Sequence, residues 1–236
     1  RHLARLIAFL DTAGIRDNTL ILVLSDNGAS QEGGPLGFVN AMGPYNFRPE
    51  PITEKLRRID DIGGPDSHSN FPHGWAMASN TPLRRYKQNT HGGGIRDPFV
   101  MCWPNRIKAK GELRHQFVHA CDLVPTLLEL IGIDTPANIA GVPQMPIEGV
   151  SFAASIANPA APSKHSAQYF EMFGHRGLWR DGWKAVSFHP SGTPFENDKW
   201  ELFHLDEDFS ETNDLAAREP ERLAAMIATW WKEAER

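Results

Sequence analysis

Residues 20–28 read Leu20-Ile21-Leu22-Val23-Leu24-Ser25-Asp26-Asn27-Gly28, and no other stretch says as much about the fold. A short continuous apolar run closed by a turn residue predicts a strand buried on both faces, of the kind found in parallel sheets. Asp26 and Asn27 leave that strand at its C-terminal end, and Gly28 turns the backbone away. Open α/β sheets collect ligands at that edge. A carboxylate beside an amide oxygen is a pair of hard donors, suited to Ca²⁺ or Mg²⁺ and poorly suited to zinc. The same residues also fit a strand followed by an ordinary Asn-Gly turn. Upstream, Leu3, Leu6, Ile7 and Leu10 recur at helical spacing and Gly14 stands where a helix would end, so the chain opens as a helix followed by a strand.

A second stretch adds context. Residues 79–98 run Ser79-Asn80-Thr81-Pro82-Leu83-Arg84-Arg85-Tyr86-Lys87-Gln88-Asn89-Thr90-His91-Gly92-Gly93-Gly94-Ile95-Arg96-Asp97-Pro98. Together with the upstream strand this resembles the sulfatase family of the alkaline-phosphatase superfamily, whose Asp-Asn-Gly strand is followed by a block of Thr-Pro, Arg, Lys and Gly-Gly-x-Arg. Phe99 to Pro104, Asp122 to Leu128 and Glu148 to Ser151 resemble later segments of that family in the same order. The resemblance covers roughly residues 1–155, and more loosely the tail from about 165.

The resemblance implies an α/β fold, an alkaline-phosphatase-like sheet with flanking helices, plus a small C-terminal α+β subdomain with an antiparallel sheet and one helix. The expected division is 1–160 for the α/β part, with a long loop at 29–80, and 161–236 for the subdomain. It implies a sulfuric ester hydrolase of arylsulfatase type acting on a small sulfate ester. In that scheme Asp26 and Asn27 are metal ligands for Ca²⁺, with Mg²⁺ as the alternative, and Lys87 contacts the sulfate as catalytic and substrate-binding residue. His91 stands beside the block as a further substrate-binding candidate. Relatives carry Glu where this chain has Gly92 and Tyr where it has His91. Arg96 is expected in a buried ion pair that pins the loop.

Sulfatases also carry a Cys-x-Pro-Ser-Arg motif whose cysteine becomes formylglycine. It is not found here in its expected context, so the chain reads as the C-terminal portion of a longer enzyme. On that reading the formylglycine sits on a missing N-terminal portion, which acts as partner, and the chain alone is inactive. Cys102-Trp103-Pro104-Asn105-Arg106 imitates the motif but follows a strand instead of opening a helix, and Cys102 is expected to be a buried strand cysteine. Two alternatives stay open: a phosphodiesterase or phosphonate hydrolase of the same superfamily, and a non-catalytic sulfatase-like fragment. The uncharged Asn27 favours one hard cation and a sulfate monoester over a two-zinc phosphate site.

Composition narrows the partners. The 236 residues are 41% apolar, enough for a packed core, and carry a net charge of −5 without a basic stripe, which argues against nucleic acid. Two cysteines give no disulfide framework, and no apolar run reaches membrane-spanning length. The absence of an Asn-x-Ser/Thr acceptor points to a bacterial-type enzyme, cytoplasmic or periplasmic.

Local patterns mark the remaining elements. Residues 29–80 are rich in Gly, Pro and polar residues, with one helical candidate at Ile52–Ile59, and are expected to form a lid or pocket wall carrying His68 and His73. Pro98–Trp103 reads as a strand. Asp122 is expected to cap a helix stopped by Gly132, and Phe152–Ile156 is a short helix in a connector. Strands are expected at Gln168–Phe173 and Trp200–Leu205, with a hairpin over Leu178–Phe188 turning at Asp181-Gly182. Leu223, Met226, Ile227, Trp230 and Trp231 form the apolar stripe of a final helix.

Overall fold

A computed structural model describes residues 1–236. In chain order the elements are α1 (His2–Thr12), β1 (Ile21–Leu24), α2 (Met42–Tyr45), α3 (Ile52–Arg57), α4 (His73–Ser79), α5 (Gly92–Ile95), β2 (Phe99–Cys102), α6 (Leu123–Ile131), β3 (Asn138–Ile139), β4 (Val142–Pro143), α7 (Ala153–Ala157), β5 (Ala167–Met172), β6 (His175–Arg180), β7 (Trp183–Ser187), β8 (Trp200–His204) and α8 (Pro220–Ala234). The contacts divide the chain into two units. One comprises Arg1–Val23 with Phe99–Gln168, the other Leu24–Pro98 with Tyr169–Arg236. No helix is long and apolar enough to cross a membrane.

In the first unit β1 pairs with β2. Helix α1 closes as its sequence foretells: Gly14 adopts a left-handed φ of 68°, its N–H returns to Asp11, and the Ile15 N–H returns to Leu10. These two bonds satisfy carbonyls that the helix end would leave open. Gly132, at φ 72°, ends α6 in the same way. The expected two-faced burial of β1 is not found, since Val23 and Leu24 are 40% and 49% exposed. The two-stranded sheet leaves part of that run uncovered. Cys102 is likewise exposed, not buried. Along β2, Phe99 and Met101 are half-buried while Val100 and Cys102 face outward, so strand alternation sets its fate. Asp122 does not cap α6 by its own side chain. His119 is the cap of the preceding turn, and Asp122 answers it by accepting the His119 N–H at 2.8 Å. Its carboxylate also accepts the Val150 N–H at 2.8 Å and faces His165 Nδ1 at 3.2 Å.

The second unit is built on the sheet β5-β6-β7-β8, in which β6, β7 and β8 are antiparallel. The turn from β6 to β7 places Asp181 at φ 48° and Gly182 at φ 79°, the two positive angles of a type I′ hairpin. Pairing of Arg180 with Trp183 fixes the register. One face then shows Leu178, Ala185 and Leu202, which pack with Met226 and Trp230 of α8. Tyr169 stacks on Trp230 at 5.1 Å, and the Trp230 indole N–H donates to the Phe170 carbonyl at 3.0 Å. Burying each large apolar side chain contributes about 1.5–3 kcal/mol, enough for this cluster to hold helix to sheet. The opposite face shows Lys184, Val186, Glu201 and Phe203, and it is on this face that the glycine-rich block rests. Residues 29–80 are more ordered than their composition implies. They hold α2, α3 and α4, and the Glu50 carboxylate accepts the Val39 and Asn40 N–H groups at 2.9 and 3.1 Å.

Candidate active site

The exit of β1 and the lysine block are stitched together by backbone hydrogen bonds. The Ser25 N–H donates to the Pro98 carbonyl at 3.3 Å, Gly28 to Gly94 at 3.3 Å, and Lys87 to Ala29 at 3.1 Å. Asn80 is the rivet. Its Oδ1 accepts the Ala29 N–H at 3.0 Å, while its Nδ2 donates to the Arg85 and Gly93 carbonyls at 3.0 and 2.8 Å. The approach is too close for side chains. A Cβ on Gly28 would lie 1.6 Å from the Gly93 oxygen, and one on Gly93 would lie 2.2 Å from the Arg85 oxygen. Glycine is required here because backbone meets backbone.

Lys87 is half-buried, and its ammonium sits 3.1 Å from Glu32 Oε2. The Ser30 hydroxyl donates to the same oxygen at 2.8 Å. That hydroxyl, followed by Lys87, holds the Glu32 carboxyl below its ordinary range. Asn27 is half-buried and donates its Nδ2 to the Gly28 carbonyl at 3.0 Å, and Asp26 is exposed. Asp97 is pushed up to about 6, first by burial and then by the charge of Asp26.

Beneath the block, charges are paired in layers. His91 is buried, with Nε2 3.0 Å from Glu201 Oε2. Burial lowers the His91 pKa, which keeps the ring neutral near pH 7. An ionised carboxylate only accepts, so Nε2 carries the proton. This hydrogen bond, then Arg84, holds Glu201 at about 2. Arg84 donates to Glu201 at 3.0 Å and to the Glu211 carbonyl at 2.8 Å. The Glu211 carboxylate pairs with Lys184 at 2.6 Å and accepts the Gly92 N–H on both oxygens, at 3.1 and 3.0 Å.

Of the four residues singled out from the sequence, Asp26, Asn27 and Lys87 lie on the two stitched segments. His91 is withdrawn beneath them with Nε2 tied to Glu201. The calcium or magnesium expectation is corrected: no group of three or more His, Cys, Asp and Glu side chains is placed to hold a metal ion. Glu32, the next carboxylate along the chain, is taken up by Lys87 and Ser30. Arg96 is not in an ion pair either. Its guanidinium lies 4.0 Å over the Phe209 ring. Sequence reasoning missed Glu32, Glu201 and Glu211, whose partners lie far along the chain. It also missed that His73 stacks on Tyr86 at 5.6 Å, one residue before Lys87. Asn80 was within the quoted block, and its amide was the one signal available.

Residues 1–133 match the sulfatase family model, and residues 86–234 match a model described as N-sulphoglucosamine sulphohydrolase, C-terminal. An uncharacterized sulfatase of Schizosaccharomyces pombe is 29% identical over 97% of this chain and 40% of its own length. An arylsulfatase of Klebsiella aerogenes is 30% identical over 73% of this chain and 34% of its own length. The chain thus spans about two-fifths of the first relative and a third of the second. The solved structure of Ps i-CgsB, also determined with k-i-k-neocarrahexaose, superposes over 97% of this chain and 39% of its own, with a TM-score of 0.63 at 21% identity. That likeness shows an alkaline-phosphatase-like α/β fold.

The matches also correct the reading of the chain as a C-terminal portion alone. The sulfatase model is matched from residue 1, and the two models together reach residue 234. A missing N-terminal portion as partner and formylglycine carrier is therefore withdrawn, and so is the inactivity inferred from its absence. The chain's own two cysteines, Cys102 and Cys121, are free thiols.

Proposed function

The chain belongs to the sulfatase family, and we propose that it acts on sulfuric esters, with Lys87 as the cation that meets the sulfate group. The observation that carries this reading is the stitched pair of segments, which holds the Lys87 backbone against Ala29, two residues beyond Asn27. Negative charge grows on the bridging oxygen as a sulfate ester breaks. A fixed ammonium stabilises that charge without needing to reorganise. The Glu32 carboxylate holds the ammonium at 3.1 Å, so an entering sulfate competes with one carboxylate for it. Asn27 offers a neutral amide in the same segment, which suits the single charge of a sulfate monoester. The match to a C-terminal model described for N-sulphoglucosamine sulphohydrolase favours a sugar as the sulfated alcohol.

The test is a pair of otherwise identical aryl substrates, one a sulfate and one a phosphate. The proposal expects turnover of the sulfate to exceed that of the phosphate, with inorganic sulfate as a competitive inhibitor. Preference for the phosphate, or indifference to inorganic sulfate, overturns it.

A further inference from the structure

We propose that Arg85, with His175, forms a second anion subsite beside Lys87, so that the substrate carries a sulfate or carboxylate besides the ester under attack. The inference rests on the sulfate-ester reading of Lys87 and deepens it. Arg85 is held in the left-handed region at φ 67°, which a long side chain rarely adopts. The neighbours impose this conformation. Asn80 Nδ2 donates to the Arg85 carbonyl at 3.0 Å, and Gly93 packs so close to that oxygen that no Cβ would fit. Backbone strain of this kind collects at ligand clamps.

The side chain is then placed without being neutralised. Its guanidinium lies 4.0 Å over the Phe188 ring, and it has no carboxylate partner or side-chain hydrogen bond. The adjacent Arg84, by contrast, is satisfied by Glu201 and by the Glu211 carbonyl. His175 stacks on the same Phe188 ring, at 4.5 Å. Its Nδ1 accepts the His189 N–H at 2.9 Å, which leaves the proton on Nε2, and Nε2 has no partner. The guanidinium and the imidazole therefore both pack on one aromatic ring, and neither meets an anion. Arg85 precedes Lys87 by two residues, so their Cα atoms are at most about 7 Å apart, and one sugar can reach both side chains.

The experiment is calorimetric titration of the 236-residue chain with glucosamine 2-N,6-O-disulfate and with N-acetylglucosamine 6-sulfate. Wild type is expected to prefer the disulfated sugar. Arg85→Asn, chosen because asparagine tolerates a left-handed backbone, is expected to lower that preference by about tenfold or more, the worth of a charge-assisted hydrogen bond. Arg85→Lys should retain part of it. Lys87→Ala should weaken both sugars. Melting curves check that each variant is folded. A preference that stays within about twofold of wild type in folded Arg85→Asn overturns the second subsite while leaving the Lys87 reading standing. Binding of neither sugar by wild type, or equal binding by Lys87→Ala, overturns both.

Discussion

Replacing Glu211 with Gln changes little in volume and removes one charge from the pair that supports the glycine block. In the native fold Glu211 and Lys184 are 1% and 3% exposed at the side chain and 2.6 Å apart. Burial lowers the Lys184 pKa, opposed by Glu211. The variant leaves a buried ammonium facing a neutral amide, and breaking such a pair typically costs about 3–5 kcal/mol. Two features reduce the cost here. A Gln oxygen still accepts the Gly92 N–H, and Lys184 can shed its proton. A loss near 3 kcal/mol is expected, which lowers Tm by roughly 6–12 °C in a domain of this size. The double variant Lys184→Met with Glu211→Gln removes both charges and keeps the acceptor for Gly92, so it should recover most of the loss. Urea unfolding followed by tryptophan fluorescence measures all three. A loss under about 1 kcal/mol for Glu211→Gln, or a double variant no better than the single one, would show that the buried pair does not support the block in this way.

Three further outcomes are expected. Gly28→Ala drives a Cβ to 1.6 Å from the Gly93 oxygen. No rotamer relieves a backbone contact, so sulfate affinity in calorimetry should be lost along with stability. Acid should destabilise through Glu201, which is held at about 2 against an ordinary 4.5. Its contribution is full above the ordinary value and drains as pH falls toward the folded one, so Glu201→Gln should show a shallower fall of Tm between those limits. Parallel Tm curves for the variant and wild type would contradict this. Asp97 has the opposite sign. Its pKa rises from 3.8 to about 6, so stability is lost as pH climbs through that window. Asp97→Asn should therefore raise stability at pH 7 by roughly 1–2 kcal/mol and show no gain below pH 3.8.

Much of the fold was legible wherever the determining interactions are local. Apolar spacing with Gly14 marked α1, Asp181-Gly182 marked the hairpin, and the stripe through Met226 and Trp230 marked α8. What failed depended on neighbours distant in sequence. The apolar run of β1 foretold two-faced burial, yet the cover of a strand is set by how many strands flank it. Cys102 was misjudged because its outward side of β2 depends on register, which a four-residue strand hardly encodes. Asp122 looked like a cap for the helix after it and instead completes the turn before it. In the site, Lys87 was legible as a type of residue in a recognisable block. Its partner Glu32 lies 55 residues away and has no motif of its own. The pairs Arg84–Glu201 and Lys184–Glu211 likewise emerge only when β7 and β8 present one face to the glycine block.

The proposed chemistry turns on the Lys87 ammonium meeting the sulfate, and steady-state hydrolysis of an aryl sulfate by Lys87→Ala is the decisive measurement. Because the charge it answers grows as the ester bond breaks, kcat should fall more than KM rises, by on the order of 10²–10³-fold. Lys87→Arg should not restore the rate fully, since a planar fork cannot place its charge where a compact ammonium sits. If Lys87→Ala keeps the wild-type kcat, that chemistry fails and Lys87 is no more than the partner of Glu32.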